Sequence, residues 1–317
     1  MSSTVQICLR HPGDAAAAIA RIAVALDVPG YFASADEFAF TLRSDPWTTR
    51  DGVLSVDFSA LDRELYGTGD DTAFAPYDFE LSLELRNVPA QARQELLERA
   101  GRAVFDRLTG LDVPLAFGDG VDLFADFLPG RGVRDFPPGV SWDEDARDTW
   151  FEPGLHGSQP ALSFDKERMS PARPSHGAVR VYEADGLLQI IPWGEAGAVT
   201  PVAAVRAEAG PALLGRLLAE ELERSALAPP QKNDAWSWVS GTARLSPEEY
   251  ARTAVSIDVR VGEGAVHAVP HGAGTDTDTP GPTVDALPER RPGPWDDEAA
   301  GELVLRLVGR LREHAHS

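Results

Sequence analysis

Two segments of similar pattern lie 78 residues apart and constrain how the C-terminal half can fold. The first, Val179–Gly194, reads VRVYEADGLLQIIPWG, and the second, Ile257–Gly272, reads IDVRVGEGAVHAVPHG. Each has two alternating runs around an acidic residue and glycine, and each closes on an aliphatic residue and proline. An acidic residue followed by glycine favours a tight hairpin turn, and proline marks a strand end because it cannot donate to a ladder. We expect two β-hairpins, forming either a pseudo-repeat in one small domain or a single sheet built from both.

The length and composition predict a globular protein of two domains. The chain has 317 residues, 43% of them hydrophobic, and a mean hydropathy of −0.21, which fits a chain with substantial cores. No apolar run approaches the roughly 18 residues that a membrane span needs, and the start lacks a secretory signal pattern. The single cysteine, Cys8, cannot form an internal disulfide, and its apolar surroundings predict a buried small side chain. We therefore expect a cytoplasmic protein.

The charge balance restricts the classes of partner. Lysine and arginine number 29 against 50 acidic residues, so the formal net charge is −21. Because the acidity is spread over both halves, the field of the molecule repels nucleic acid and anionic membranes and attracts basic partners. The alternative interpretation is that the acidity serves only solubility. We predict a protein partner, no nucleic acid and no membrane.

The periodicity of residues 1–133 predicts an α+β domain. The N-terminal run STVQICLR alternates like a strand, and Asp14 can cap the alanine-rich helix that follows. FELSLEL, at 79–85, is a further strand, and Pro89 precedes a helix with one apolar face over 90–108. Weaker β-runs at 38–42 and 53–58 and a closing hairpin complete the order β–α–β–β–β–α–β–β. We expect a mostly antiparallel sheet with helices packed on one face.

Residues 134–178 are rich in proline, glycine and charge and lack periodicity, which predicts a long linker. Its aromatic residues Trp142, Trp150 and Phe151 indicate that part of it packs on a neighbour. The rest of the chain, 179–317, predicts a second α+β domain with helices near 211–225 and 296–314. Ser246 and Glu249 form a capping box for a short helix, and the stretch APPQKNDAWSWVSG before it is expected to be a loop.

The motifs of common catalytic sites are absent from the sequence. It contains no phosphate-binding loop, dinucleotide-binding glycine pattern, HExxH or GxSxG. His267 and His271 could share a strand face, but Pro270 lies between them and no third metal ligand is apparent. Carboxylate pairs are frequent, as any acidic chain offers by chance, and none predicts a general acid and base. We predict no catalytic residues, no metal and no cofactor.

Two features are candidates for a partner-binding surface. The first is the pair Trp236 and Trp238, which would point to one face of an extended loop and could anchor an interface; the alternative is that both fill a local core. The second is an acidic belt, for which the alternative is a solvated loop. The belt comprises Asp57, Asp62, Glu64, Asp70 and Asp71.

The order of segments in 179–317 resembles the immunity proteins of contact-dependent growth inhibition systems. A strand–turn–strand ending in IIP precedes the helix PALLGRLLAEELERS, a W…SG segment, a short helix running into SIDVRVGEGAVHAVP, and a C-terminal helix with an embedded glycine. The loop 272–294 departs from the family by its many prolines. The residues that carry the resemblance are Pro192, Trp238, Gly241, Tyr250, Pro270 and Gly301.

Residues 77–128 are similar, more distantly, to a second bacterial immunity family, associated with toxins of swarming inhibition. The segments YDFELSLELRN, AQARQELLERAGRAVFDRL and DVPLAFGDGVDLFADF carry this similarity. Together the two resemblances imply a cytoplasmic immunity protein, not an enzyme, that binds and neutralises a toxin domain, expected to be basic and nuclease-like. The alternatives are a two-module adaptor and an enzyme of unrecognised type that uses dispersed carboxylates.

Overall fold

A computed structural model describes residues 4–34, 37–42, 52–61, 74, 77–142, 174, 176–194, 197–227, 235–262, 265–271 and 289–315. The helices in these residues are α1 Ala15–Ala25, α2 Ala90–Leu108, α3 Pro211–Leu227, α4 Ala235–Thr242, α5 Pro247–Thr253 and α6 Asp297–Ala315. The strands are β1 Thr4–Leu9, β2 Gly30–Ala33, β3 Glu37–Leu42, β4 Val53–Ala60, β5 Phe79–Arg86, β6 Leu115–Gly118, β7 Leu123–Leu128, β8 Gly132–Asp135, β9 Gly177–Ala184, β10 Leu187–Gly194, β11 Gly197–Ala198, β12 Val202–Arg206, β13 Val255–Gly262, β14 Ala265–His271 and β15 Glu289–Pro292. The fold is α+β with mostly antiparallel strands, which confirms the predicted class.

The chain divides into two compact units, each of which is made of two separate segments of the sequence. One unit comprises Met1–Leu26 with Asp36–Ser170, and the other comprises Asp27–Ala35 with Pro171–Ser317. The segment 27–35 therefore belongs to the second unit, although it lies within the predicted first domain. Within the predicted linker, 134–142 belong to the first unit, and Trp142 is buried there beside Cys8. Residues 143–173, with Trp150 and Phe151, lie outside the described part of the chain.

The first unit has one antiparallel sheet, in the order β3-β4-β5-β1-β6-β7-β8. Its strands alternate as the sequence predicts, so that Leu81, Leu83 and Leu85 of β5 are buried and the residues between them are partly exposed. Helices α1 and α2 contact each other, and α2 packs on β1, β5 and β6. Each fully buried leucine or phenylalanine side chain contributes about 1.5–3 kcal/mol relative to exposure, so this alternation fixes which face carries the helices.

The second unit has a sheet in the order β15-β14-β13-β9-β10-β12-β2. Strand β11 adds to β10, and β2 pairs in parallel with β12. The predicted hairpins are both present, as β9–β10 and β13–β14, and they join one sheet because β9 pairs with β13. Asp185 and Gly186, with φ of 53° and 73°, make the two-residue turn of the first hairpin.

The register of β9 and β13 relates the two hairpins by a local pseudo-twofold axis. Residues paired across these strands include Val181 with Ile257 and Arg180 with Asp258. The second of these pairs joins positions that are 78 residues apart, which is the interval of the sequence repeat. The axis therefore passes between Arg180 and Asp258. In the same alignment Trp193 corresponds to His271.

Helices cover both faces of the second sheet. The long helices α3 and α6 pack on each other, α3 contacts β9 and β10, and α6 contacts β13 and β14. The short helices α4 and α5 lie on the other face, where Val239 and Tyr250 join a core with Tyr182, Ile191 and Val202. This explains why β9 is buried from Val179 to its end. Among the described residues, no helix is long and apolar enough to cross a membrane.

The structure differs from the sequence prediction in one helix and in several short strands. Residues 235–242, expected to be part of a loop, form the helix α4, and the sequence prediction was wrong there. The strands β2, β8, β11, β12 and β15 were missed because each is only two to five residues long, too short for a periodic pattern to stand out. Strand β15 lies within residues 272–294, which were expected to form an exposed loop. The predicted capping box is confirmed, since Ser246 accepts from the Glu249 amide and Glu249 accepts from the Ser246 amide.

Candidate partner-binding surface

The face of the first sheet opposite the helices is acidic where β3, β4 and β5 lie side by side. Alternation sends Glu37, Ala39 and Thr41 of β3, Ser55, Asp57 and Ser59 of β4, and Glu80, Ser82 and Glu84 of β5 to this face. We call these nine residues the acidic face. The set contains four carboxylates, and Arg86, which alternation places on the same face of β5, lies at its margin and pairs with Glu84.

The strand register arranges the four carboxylates in a checkerboard. Ser59 is paired with both Glu37 and Glu80, and Asp57 is paired with Ala39 and Ser82. Consequently no two carboxylates of the acidic face are directly opposite, a placement that limits like-charge repulsion. Each of the other three carboxylates is a diagonal neighbour of Asp57, at about 7–8 Å. That separation is no more than a Debye length at physiological salt, so their fields reinforce each other.

Hydrogen bonds hold several side chains of the acidic face in place. The Ser82 hydroxyl donates to Glu80 at 3.0 Å, and the Arg86 guanidinium, at the margin, donates to Glu84 at 2.9 Å. Asp57 is exposed, and within the described part of the chain no hydrogen bond or ion pair engages it. The Asp57 carboxylate, at the centre of the acidic face, is therefore accessible to a hydrogen-bond donor of a partner. The two residues paired with it across the strands, Ala39 and Ser82, have shorter side chains.

Only one residue of the predicted acidic belt can be placed. Asp57 lies at the centre of the acidic face, whereas Asp62, Glu64, Asp70 and Asp71 fall outside the described residues. The sequence prediction missed Glu37, Glu80 and Glu84, although the alternation in FELSLEL already marks Glu80 and Glu84 as outward-facing. Grouping the acidic residues by strand face, in place of proximity along the chain, would have found them.

Trp236 and Trp238 lie on helix α4 and not on an extended loop. Residues two apart on a helix diverge by about 200°, so the two rings cannot share a face. Trp236 packs edge-to-face on Tyr182 with ring centroids 5.3 Å apart. Trp238 lies so close to Gly30 that a β-carbon there would come within 2.6 Å of the indole ring. Both side chains are partly buried against the same core, as the local-core alternative expects.

Strand β2 is anchored to the second unit on both of its faces. Gly30 lies against Trp238, and the next residue, Tyr31, points to the opposite face and donates to the Glu221 carboxylate at 2.9 Å. Glu221 is fully buried and also accepts from Arg224. Burial raises the pKa of Glu221 above its ordinary value, although Arg224 and Tyr31 oppose that shift. The cluster of Tyr31, Glu221 and Arg224 lies mostly in the protein interior, and we assign it a structural role.

A second polar cluster lies on the pseudo-twofold axis of the hairpins. The Arg180 guanidinium donates to Asp258 at 2.6 Å and stacks on the Trp193 ring at 4.2 Å. His271, the counterpart of Trp193, places its Nε2 3.6 Å from the Asp258 carboxylate. Burial alone would raise the pKa of Asp258, but His271 and Arg180 outweigh that effect and hold it at about 2. Within the described residues no group of three metal-ligating side chains forms.

Comparisons with known proteins add little. No protein-family model matches the chain, and no curated protein matches it. A protein of unknown function from Neisseria meningitidis has a solved structure similar to part of the chain, with a TM-score of 0.35 and 12% sequence identity. The match covers 44% of this chain and 96% of the other. Similarity at that level assigns no function.

Proposed function

We propose that the chain is a cytoplasmic immunity protein that binds a basic toxin domain through the acidic face. The observation that carries the proposal is the set of four carboxylates on three adjacent strands, centred on Asp57, with Arg86 at its margin paired with Glu84. A cationic catalytic or nucleic-acid-binding surface is complementary to this arrangement. The family resemblance of the sequence and the net charge of −21 support the same proposal.

The geometry favours a protein surface over a small substrate as the occupant. The carboxylates project from alternate positions of neighbouring strands, and they are separated by serine, threonine and alanine side chains. Carboxylates on three adjacent strands are spread more widely than the groups of a small substrate, so a partner with a broad basic surface suits the arrangement better. Long-range attraction would raise the association rate, and the close ion pairs would give specificity.

The test requires a candidate toxin, for which the protein encoded beside this gene is the first choice. Co-expression of the chain should restore growth to cells that produce the toxin domain, and the two purified proteins should bind directly. The variant Glu37→Gln/Asp57→Asn/Glu80→Gln should weaken binding by about 10- to 100-fold, since each lost ion pair at an interface costs of order 1 kcal/mol or less at its rim and more at its centre.

A matched control is available elsewhere on the surface. The variant Glu95→Gln/Glu248→Gln/Glu302→Gln also removes three negative charges, from exposed positions outside the acidic face. Binding by this control should stay within about twofold of wild type. If both variants weakened binding equally, the acidic face would act only through the net charge of the protein and would not be the binding site. If the neighbouring protein were neither bound nor neutralised, the proposal would lose its support.

A further inference from the structure

The second unit carries a row of basic side chains for which no carboxylate partner lies among the described residues. Arg260 of β13 is paired with His267 of β14, which is paired in turn with Arg290 of β15. Cross-strand partners share a face, so the three side chains stand beside one another on three adjacent strands. Both arginines are exposed and His267 is partly exposed. We call these three residues the basic row.

The basic row lies in a strongly acidic chain. Acidic residues outnumber arginine and lysine by 50 to 29, and carboxylates are therefore available for pairing. Within the described residues Arg260, His267 and Arg290 nevertheless have no ion pair or hydrogen bond through their side chains. The two arginines flank His267 on the outer strands of the row, so the arrangement presents two guanidinium groups to an anionic partner. Many of the other described arginines pair with carboxylates, among them Arg86, Arg102, Arg134, Arg180, Arg216, Arg224, Arg306, Arg310 and Arg312.

The acidic face contains a row of matching dimensions and opposite charge. Glu37, Ser59 and Glu80 are cross-strand partners on β3, β4 and β5, just as Arg260, His267 and Arg290 are on β13, β14 and β15. In both rows the outer charges are separated by two interstrand spacings, about 9.6 Å. A hydroxyl stands between the two carboxylates, and an imidazole, which can donate to or accept from a hydroxyl, stands between the two guanidinium groups.

We propose that the basic row of one copy of this chain docks on the acidic face of a second copy. Arg260 and Arg290 of one copy pair with Glu37 and Glu80 of the other, and His267 meets the Ser59 hydroxyl. Arginine suits this contact because its planar fork binds a carboxylate through two hydrogen bonds. The self-contact does not depend on the proposed toxin, but it covers the same acidic face, so self-association and toxin binding would compete.

Sedimentation velocity of the full chain is the direct test. At protein concentrations of about 0.1–1 mM and about 0.15 M salt, the mean mass should rise with concentration. It should return to the monomer value near 0.6 M salt, where the Debye length falls to a few ångströms. The charge-reversal variants Arg260→Glu/Arg290→Glu and Glu37→Arg/Glu80→Arg should each be at least 10-fold weaker in self-association. Reversal of Arg99 and Arg252, exposed arginines outside the basic row, should leave association within about twofold.

A mixture of the two charge-reversal variants provides the most discriminating test of the proposed contact. The acidic face of the first variant and the basic row of the second are native, and the reversed surfaces also complement each other. An equimolar mixture should therefore associate at least 10-fold more strongly than either variant alone, and this recovery also shows that both variants are folded. The proposal is overturned by a wild type that stays monomeric, by association that survives Arg260→Glu/Arg290→Glu, or by a mixture that remains monomeric.

The outcome of the self-association test can be distinguished from the outcome of the test of the proposed function. The variant Arg260→Glu/Arg290→Glu retains the whole acidic face, so its binding to the toxin domain should equal or exceed that of wild type. Toxin binding without self-association overturns only the self-contact. Self-association that passes the mixing test, without any toxin bound, overturns only the proposed function.

Discussion

At the scale of single residues, the pair Arg180 and Asp258 shows how the second unit accommodates a buried charge. Arg180 is 7% exposed, and it lies between the Asp258 carboxylate and the Trp193 ring. The pKa of the Asp258 carboxyl is about 2 in the folded protein, against an ordinary value of 3.8. A depressed folded pKa means that the stabilisation is present at neutral pH and is lost as the pH falls from about 4 to 2.

Replacement of Asp258 by asparagine should therefore destabilise the protein at neutral pH. The change leaves the Arg180 guanidinium buried without a charged partner, a loss of about 3 kcal/mol or more. Urea unfolding at pH 7 would measure the difference, and that difference should shrink at a pH of about 2.5, where wild-type Asp258 is becoming protonated. The same substitution at exposed Asp57 is the control and should change the unfolding free energy by less than about 0.5 kcal/mol. A loss at Asp258 that is independent of pH would contradict the charge-based explanation.

At the scale of elements, two glycines allow helices α3 and α6 to cross at close range. A β-carbon on Gly215 would lie 1.7 Å from the Asp297 carbonyl oxygen, and one on Gly301 would lie 1.9 Å from the Pro211 carbonyl oxygen. Both obstacles are backbone atoms, which cannot rotate away. Gly301 is one of the residues that carry the family resemblance, and this crossing gives it a structural role.

Alanine substitutions at two glycines of α6 should have opposite effects. Gly301→Ala should cost about 1–3 kcal/mol, because the helices must separate to admit the methyl group. Gly309→Ala meets nothing within 4 Å, and it should stabilise the helix by about 0.4–1 kcal/mol through the lower entropy of the unfolded chain. Thermal and urea unfolding of the two variants would compare them directly. If both substitutions changed the free energy of unfolding equally and only slightly, the two helices would have to be farther apart at their crossing than they are in the structure.

At the scale of the whole molecule, the second unit depends on a segment from far upstream. Strand β2 supplies a parallel partner for β12, the Tyr31 hydroxyl for buried Glu221, and the glycine surface on which Trp238 packs. A fragment that begins at the predicted linker lacks all three contributions. We therefore expect that the predicted segments 1–133, 134–178 and 179–317 are not self-sufficient modules.

We expect the fragment 171–317 to unfold without a cooperative transition and to bind a hydrophobic dye. A synthetic peptide of residues 27–35 should restore cooperative unfolding when it is added in excess. A peptide with Tyr31→Phe should bind about 10-fold more weakly, because Glu221 loses a donor in a fully buried site. Circular dichroism during urea titration would follow each state. Cooperative unfolding of the fragment alone would show that β2 is dispensable.

Local patterns in the sequence determined much of this protein. The alternation of FELSLEL, the apolar stripes of the long helices, the capping box at Ser246 and the hairpin turn at Asp185 depend on neighbours within a few residues, and each formed as predicted. Only the tertiary structure decided that β2 pairs with β12, that Trp236 and Trp238 pack on opposite sides of a helix, and that Glu37, Asp57 and Glu80 share one face. Those outcomes depend on strand register and on contacts between residues distant in the chain, which periodicity does not encode.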